Sequence, residues 1–348
     1  MPSDTSDGSD GDREKAEAEE FDRKLLDSIR DGSWLDRQEF PELQYAIPGL
    51  LPEGFSLLIG PPKAGKSWLA LDFLLAISGA RNAVGKIAME GKRRVLYLAL
   101  EDGDRRMQDR CRTLLGDAPI PDLFHYMTDI RPGFIVHTLE AFMRRHPDTA
   151  LIIIDTLGKV MPPTAPGESA YQRDYRVAGA LKRVADAHPG LAISALHHDR
   201  KAASEDFVDS VSGTHGLAGA ADTIVVLARK RQATEAVLMV TGRDVVESEY
   251  ALVMDSGLWT LDGIDLSSAA ETAQSREDAA GLGDQSVNIL KFVREQGPEP
   301  VRAGVVAEKF GKDAYQYLGR LEESGRLTKI KRGWYTATAA LPGIEESA

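Results

Sequence analysis

The most informative segment of the sequence is Phe55-Ser-Leu-Leu-Ile-Gly-Pro-Pro-Lys-Ala-Gly-Lys-Ser67. It opens with an apolar run typical of a buried strand, and an apolar helical pattern follows from Ser67 to about Ala80. The loop between them has the spacing Gly60-x-x-x-x-Gly65-Lys-Ser, which is the pattern of a phosphate-binding loop in the context that such a loop requires. The alternative is a chance glycine-rich turn, which the combination of strand, helix and Lys-Ser ending disfavours.

Every residue of this loop is a candidate ligand of ATP. Backbone N–H groups of the loop and of the helix N-terminus are expected to face the phosphates. Lys66 is expected to neutralise oxygens of the β- and γ-phosphates, and the Ser67 hydroxyl to bind Mg²⁺. The predicted cofactor-binding residues are Gly60, Pro61, Pro62, Lys63, Ala64, Gly65, Lys66, Ser67 and Trp68.

Apolar strands alternate with helical patterns on both sides of this loop. The alternation predicts an α/β fold with a mostly parallel central sheet covered on both faces. Closely spaced strands after residue 220 predict an antiparallel extension of that sheet. The arrangement as a whole predicts a P-loop ATPase core.

Composition shifts divide the 348 residues into five segments. Residues 1–37 are expected to be an acidic, largely disordered segment, residues 38–262 the ATPase core, and residues 263–284 a Ser/Ala-rich linker. Residues 285–336 show three helical patterns and a basic hairpin, the order of a small winged-helix domain. Residues 337–348 are expected to form a loose tail.

Charge and cysteine content exclude several classes. The net charge of −12 excludes a protein that coats nucleic acid along its whole surface. Ten basic and six acidic side chains in residues 285–335 leave room for a local DNA contact. One cysteine excludes an internal disulfide framework, and no apolar run approaches the length of a membrane span. A cytoplasmic location is expected.

Two further strands end in carboxylates. Asp155 follows Leu-Ile-Ile-Ile and is expected to hold Mg²⁺ opposite Ser67, although a helix cap or turn is the alternative. Glu101 and Asp102 end the strand Val95–Leu100. Glu101 is expected to deprotonate the attacking water, whereas Asp102 or Asp104 is expected to start a helix.

A fourth strand ends in His197 and His198. A polar group at this strand end is able to sense the γ-phosphate, and a solvated strand end is the alternative. A metal site is less favoured, because no cysteine or third histidine lies nearby in the sequence.

Taken together, these motifs resemble the RepA-like branch of the RecA/DnaB superfamily of ATPases. The resemblance rests on Gly60–Trp68, Tyr97–Asp102 and Ile153–Thr156. It continues in Leu196–His198 and in the run Val-Thr-Gly-Arg243-Asp, and it covers about residues 38–262 in order. That family has a RecA-type core and often forms hexameric rings that translocate on single-stranded DNA.

The resemblance also implies roles for particular residues. Lys66 and Glu101 match catalytic positions, Asp155 matches the second acidic motif, and His198 rather than His197 matches the γ-phosphate sensor. Arg243 matches an arginine finger that reaches a neighbouring subunit; a surface residue in a turn is the alternative.

The chain departs from DnaB-type helicases at Thr241. Those helicases carry a lysine at this position, and Lys230 or Arg231 would have to replace it.

DNA contacts are expected at two places. In RecA-like cores, loops equivalent to Met161–Tyr175 and Asp199–Gly216 face the channel, and the second carries Arg200 and Lys201. The winged-helix segment offers Arg320 on its third helix and Lys329, Lys331 and Arg332 on its wing, which would reach double-stranded DNA. Protein docking by that segment is the alternative.

Three functions remain open at this stage. The favoured one is an ATP-driven motor on DNA, a replicative-type helicase of a plasmid, phage or integrative element. The second is a recombination or regulatory ATPase that binds DNA without unwinding it. The third is a KaiC-like ATPase whose winged helix docks a protein.

Overall fold

The structure is a computed structural model, and it describes residues 8–131, 133–198, 215–279, 284–297 and 299–337. The chain divides into two units, Met1–Leu43 and Gln44–Ala348. The division falls after residue 43 rather than after the predicted residue 37.

The first unit contains helix where the sequence predicted a largely disordered segment. Helix α1 spans Gly8–Leu26 and α2 spans Gly32–Asp36. Residues 13–24 consist mainly of Ala, Glu, Lys and Arg, which favour helix. Lys24 pairs with Glu20 one turn earlier at 2.8 Å. Local helix propensity therefore corrects the prediction of disorder, which considered only the lack of apolar surface.

The second unit is built on a large sheet. A short hairpin of β1 (Tyr45–Ile47) and β2 (Leu51–Pro52) precedes it. The sheet contains β3 (Gly54–Gly60), β4 (Arg94–Ala99), β5 (Phe124–Met127), β6 (Thr149–Asp155), β7 (Ala192–His198), β8 (Thr223–Arg229), β9 (Glu235–Gly242), β10 (Ser248–Asp255) and β11 (Leu258–Leu261). The order is β11-β10-β9-β8-β3-β7-β6-β4-β5. Strands β8 to β5 in this order run parallel, and β9, β10 and β11 extend the sheet antiparallel.

Helices cover both faces of this sheet. They are α3 (Lys66–Gly79), α4 (Asp104–Leu115), α5 (Ile135–Arg145), α6 (Leu157–Val160), α7 (Ala170–Asp186) and α8 (His215–Ala218). Helices α3 and α4 pack in one buried apolar cluster, and α5 to α8 in a second. The α/β class with a mostly parallel sheet is thus confirmed. None of the described helices is long and apolar enough to cross a lipid bilayer.

The predicted linker is wrong over most of its length. Residues Leu266–Ala279 form helix α9, whose Ala269 and Ala273 are buried and which packs on β10. Asp265 starts the helix by accepting the N–H of Ser268. Its Ser and Ala residues look like a linker in the sequence, but small side chains also allow a helix to approach a sheet closely. Residues 280–283 lie outside the described residues.

The C-terminal part forms a separate small core. It contains α10 (Asp284–Glu295), β12 (Val301–Arg302), α11 (Ala303–Phe310), α12 (Ala314–Glu323), β13 (Leu327–Lys331) and β14 (Trp334–Ala337). Strand β14 lies between β12 and β13 in an antiparallel sheet. Three helices and a hairpin match the predicted elements, with the short strand β12 in addition. The winged-helix assignment stays a prediction, and residues 338–348 of the predicted tail are not described.

A buried carboxylate lies inside α3, the helix that follows the phosphate loop. Asp72 is fully buried, and its Oδ2 accepts the N–H of Val84 at 2.7 Å. Its Oδ1 lies 3.6 Å from Nη2 of Arg81, beyond hydrogen-bond distance. Burial raises the pKa of Asp72 to about 6, against the opposing effects of Val84 and Arg81. The folded chain therefore keeps a proton on this group up to a higher pH than the unfolded chain does.

Replacing Asp72 with asparagine tests this pKa. The pKa of Asp72 is higher in the folded chain than in the unfolded chain. The contribution of Asp72 to the free energy of unfolding is therefore fully present below the unfolded pKa of 3.8 and is lost as the pH rises through about 6. Asp72→Asn keeps an acceptor for Val84 and has no charge to bury. Its free energy of unfolding relative to wild type should therefore rise by about 2 kcal/mol between pH 4 and pH 7.

Urea unfolding at several pH values measures this difference. Asp109→Asn, at an exposed position of α4, is the matched control and should track wild type at every pH. Parallel pH profiles for Asp72→Asn and wild type would contradict the raised pKa.

Candidate nucleotide site

The phosphate loop joins the end of β3 to the start of α3. Gly65 precedes the helix at φ +104°, a conformation that favours glycine, and no side chain caps the helix start. The first N–H groups of α3 are thus available for an anion. Lys66 is buried, and its Nζ donates to the carbonyl oxygens of Gly60 (2.7 Å) and Pro61 (3.0 Å). The lysine therefore lies against the loop that the sequence assigned to phosphate.

Ser67 and Asp155 meet beside this loop, as the sequence predicted for a shared Mg²⁺ site. The Ser67 hydroxyl is hydrogen-bonded to the Asp155 carboxylate. Asp155 also accepts a hydrogen bond of 2.6 Å from the Tyr97 hydroxyl. Burial raises the pKa of Asp155, both hydroxyls lower it, and the nearby carboxylates of Glu101 and Asp102 raise it. The Asp155 carboxylate thus binds two hydroxyl groups and lies near two other carboxylates, at the edge of the sheet where β6 ends.

Glu101 lies just beyond the end of β4, next to Asp155 in the sheet. It is exposed, and its Oε1 lies 3.4 Å from Oγ1 of Thr156. Asp102 has a different role from the predicted helix cap. Its side chain is 5% exposed and forms ion pairs with Arg106 and Arg110 of α4, while Gly103 takes the cap position. Glu101 is therefore the accessible carboxylate of the pair.

The histidine pair lies at the end of β7, beside the phosphate loop. In the parallel register, His197 pairs with Ile59 and His198 pairs with Gly60. The backbone thus places both residues at the edge of the sheet that carries the loop. The side chain of His198 lies outside the described residues.

Arg243 lies at the opposite edge of the sheet from the phosphate loop. Gly242, the last residue of β9, pairs with Thr223 at the start of β8. The Arg243 side chain is 60% exposed and donates to the carbonyl of Gly219 at 3.2 Å. Within one chain, this guanidinium is not brought to the nucleotide site. Lys230 and Arg231 follow β8 at the edge of the sheet that carries the phosphate loop. They are therefore at the opposite edge from Arg243 and do not replace the lysine that DnaB-type helicases carry at the position of Thr241.

The candidate DNA contacts fall into two groups. Arg200 and Lys201 lie outside the described residues, as does most of the loop Asp199–Gly216. Part of the other predicted loop, Met161–Tyr175, is helical, because Ser169 and Gln172 form a capping box and α7 begins at Ala170.

The second group lies on the C-terminal part. Lys329 and Lys331 are exposed on β13, and Arg332 follows in the turn to β14. Nζ of Lys331 lies 4.7 Å from the centroid of the Trp334 ring. Arg320 is exposed on α12, with its guanidinium 5.8 Å from the Tyr317 ring. Four cations thus lie on exposed parts of this small core.

A family model described as AAA domain (AAA_25) matches residues 19–204, just over half of the chain. The chain belongs to this AAA-domain family. No curated protein sequence matches the chain.

Solved structures resemble this AAA-domain protein in fold. A DnaB-like replicative helicase, described with its interactions with primase, has a TM-score of 0.51 at 15% identity, over 70% of this chain and 71% of that one. A further structure, described as an ATPase domain, has a TM-score of 0.49 at 15% identity, over 60% and 84%. The RadB recombinase has a TM-score of 0.42 at 13% identity, over 62% and 91%. The predicted RecA-like core is confirmed as a fold.

Three residues that the sequence did not single out support the phosphate loop and Asp155. Tyr97 was read as part of an apolar strand, yet its hydroxyl binds Asp155 across the β4–β6 pairing. Trp259 donates from Nε1 to the Gly65 carbonyl at 3.1 Å, and Arg229 donates to the Ala64 carbonyl at 3.3 Å. A tyrosine within an otherwise aliphatic run was the one available signal, since a buried hydroxyl needs a partner.

Removing the Tyr97 hydroxyl should shift the pH dependence of this family member. Tyr97→Phe takes one hydrogen-bond donor from the Asp155 carboxylate, whose pKa then rises further. We expect the acid limb of the ATPase pH profile to move to higher pH. The Mg²⁺ concentration for half-maximal rate at pH 7 should increase as well.

Tyr250→Phe is the control, at a buried tyrosine of β10 remote from Asp155 in the sheet order. It should leave both quantities unchanged. An unshifted acid limb in Tyr97→Phe would contradict a functional role for the Tyr97–Asp155 hydrogen bond.

Proposed function

We propose that this protein binds ATP with Mg²⁺ at the phosphate loop, hydrolyses it, and uses the energy to move on DNA as a RepA/DnaB-like replicative helicase. The observation that carries the proposal is the meeting of three groups at one sheet edge: the buried Lys66, the hydrogen-bonded pair Ser67–Asp155 and the accessible Glu101. A plasmid, phage or integrative element is the proposed context.

The oxygen donors present fit a magnesium ion. Ser67 supplies a hydroxyl and Asp155 a carboxylate, the hard ligands that Mg²⁺ binds with retained waters. These two residues would hold the ion, which when bound supplies positive charge next to the β- and γ-phosphates. Lys66 supplies a second positive charge from the loop itself.

Glu101 is the proposed general base. Its carboxylate is exposed beyond the strand end, close enough to Thr156 to be oriented by it, and able to take the proton of the attacking water. Asp102 is less suited to this role, since Arg106 and Arg110 already neutralise it. His198, at the end of the strand next to Gly60, is the proposed sensor of the γ-phosphate.

The proposed assembly is a homo-oligomer, with a hexameric ring favoured. Arg243 lies on the far edge of the sheet, so it is able to serve a nucleotide only in a neighbouring subunit. An arginine finger supplied in this way would make hydrolysis depend on assembly.

The proposed DNA contacts are single-stranded DNA in the ring and double-stranded DNA at the C-terminal part. A DnaB-like helicase shares the fold of this chain, which supports the first contact. The order helix, strand, two helices and hairpin supports a winged helix, and Lys329, Lys331 and Arg332 on its hairpin support phosphate contacts. Arg200 and Lys201 remain proposed contacts of the channel.

A strand-displacement assay tests the motor. We expect the ATPase rate to rise with single-stranded DNA and a labelled strand to be released in the presence of ATP and Mg²⁺. Glu101→Gln is the control, because it keeps the ATP site and should lower kcat by about 10²-fold or more.

The outcomes separate the candidate functions. DNA-stimulated hydrolysis without strand release would favour the recombination or regulatory ATPase. Hydrolysis that no nucleic acid stimulates would favour the protein-docking ATPase and would contradict the motor.

Mixing two inactive variants tests the arginine finger. Arg243→Ala and Lys66→Ala should each lack activity. In mixed rings, Lys66→Ala subunits would offer Arg243 to intact sites, restoring about one quarter of the sites at equal amounts. The control pairs Arg243→Ala with the double variant Lys66→Ala/Arg243→Ala and should stay inactive. Full activity of Arg243→Ala alone would rule out the finger.

A further inference from the structure

The turn between β10 and β11 lies directly on a residue of the phosphate-loop helix. Ser256 and Gly257 form this turn, with φ +51° and +96°. A Cβ atom built on Gly257 would lie 2.8 Å from three atoms of the Trp68 ring, Cδ2, Cε3 and Cζ3. Equal distances to three ring atoms place the turn against the ring itself. Only a residue without a side chain allows this approach.

The same hairpin holds the loop a second time, through Trp259. This side chain is fully buried, and its Nε1 donates to the Gly65 carbonyl at 3.1 Å. A Cβ atom on Gly65 would come within 2.9 Å of the Trp259 ring. The left-handed glycine that starts α3 is therefore packed against an indole and hydrogen-bonded to it.

Arg229 completes the contact from the end of β8. Its guanidinium carbon lies 5.5 Å from the centroid of the Trp259 ring, and its Nη1 donates to the Ala64 carbonyl at 3.3 Å. Two consecutive carbonyl groups of the loop, those of Ala64 and Gly65, thus have side-chain donors, one from the end of β8 and one from β11. The Gly65 carbonyl also accepts the N–H groups of Trp68 and Leu69 in the first turn of α3, so the Trp259 indole adds a third donor at the point where the loop meets the helix.

We propose that the β10–β11 hairpin is a brace that holds the phosphate loop in its ATP-binding conformation, with Trp259 and Trp68 as its positioning residues. Trp68, which the sequence assigned to cofactor contact, acts through the hairpin. This inference rests on the proposed ATP site. It adds that Trp259, almost two hundred positions after Gly65 in the sequence, helps to set the affinity of that site for ATP. The contacts that form the brace are made to Ala64, Gly65 and Trp68 and not to Glu101, the proposed base, so we expect the brace to change ATP binding more than the chemical step.

Trp259→Phe removes the indole N–H and keeps an aromatic ring. We expect the Kd for ATP to rise about fivefold, which is the usual effect of one lost hydrogen bond. The kcat at saturating ATP should stay within about twofold of wild type, because Lys66, Asp155 and Glu101 are unchanged. Trp334→Phe, in the C-terminal part, is the control and should leave both values unchanged. Calorimetric ATP titration and steady-state kinetics measure them.

Gly257→Ala and Gly333→Ala form a second, matched pair. Both glycines lie in hairpin turns at positive φ, +96° and +75°, so alanine costs similar backbone strain at each. A Cβ atom on Gly333 meets no atom within 4 Å, whereas one on Gly257 meets Trp68. We expect only Gly257→Ala to weaken ATP binding, even where both variants lower the melting temperature equally.

These readouts separate failure of the brace from failure of the ATP site. Absence of ATP binding by wild type, or equal binding by wild type and Lys66→Ala, would overturn the site and the brace with it. ATP binding by wild type together with unchanged Kd values in Trp259→Phe and Gly257→Ala would overturn the brace alone. A merely structural role would lower the melting temperature of Trp259→Phe and leave its Kd unchanged.

Discussion

The parallel pairing of β3, β7, β6 and β4 is the constraint on which the rest of this molecule depends. Parallel strands in register bring their carboxyl ends to one edge of a sheet. Here that edge receives the phosphate loop from β3, the histidines from β7, Asp155 from β6 and Glu101 from β4. No pair of these neighbours is close in sequence. The buried aliphatic strands hold them together, so apolar packing determines where the polar chemistry lies.

The same geometry divides the molecule into two functional edges. The loop-bearing edge contains the groups proposed for ATP binding and hydrolysis, whereas Arg243 and its contacts at Gly219 and Asp222 lie at the other edge. Strand β9 runs antiparallel to β8 and carries Arg243 away from the loop. This placement supports the proposal that Arg243 serves the nucleotide of a neighbouring chain.

The strands of the core and the polar residues at their ends were predictable from the sequence, because each is marked by a short continuous run of residues. Apolar runs that end in Gly60, Glu101, Asp155 and His198 predicted both the strands and the residues at their ends. The supporting contacts were not predictable, because they join distant segments. Trp259 meets Gly65 only after β9, β10 and β11 have extended the sheet. The α9 helix was missed for a different reason, since Ser and Ala suit a flexible segment and a closely packed helix equally.

Titration of ATP into the full chain tests the central claim of a phosphate loop with a serine–aspartate metal site. Calorimetry with Mg²⁺ and with excess chelator, on wild type and on Ser67→Ala, is the measurement. We expect binding of one ATP per chain that weakens roughly tenfold or more without Mg²⁺. We also expect this metal dependence to be largely lost in Ser67→Ala. ATP binding that is indifferent to Mg²⁺ in wild type, or equally dependent on Mg²⁺ in Ser67→Ala, would rule out the serine–aspartate metal site.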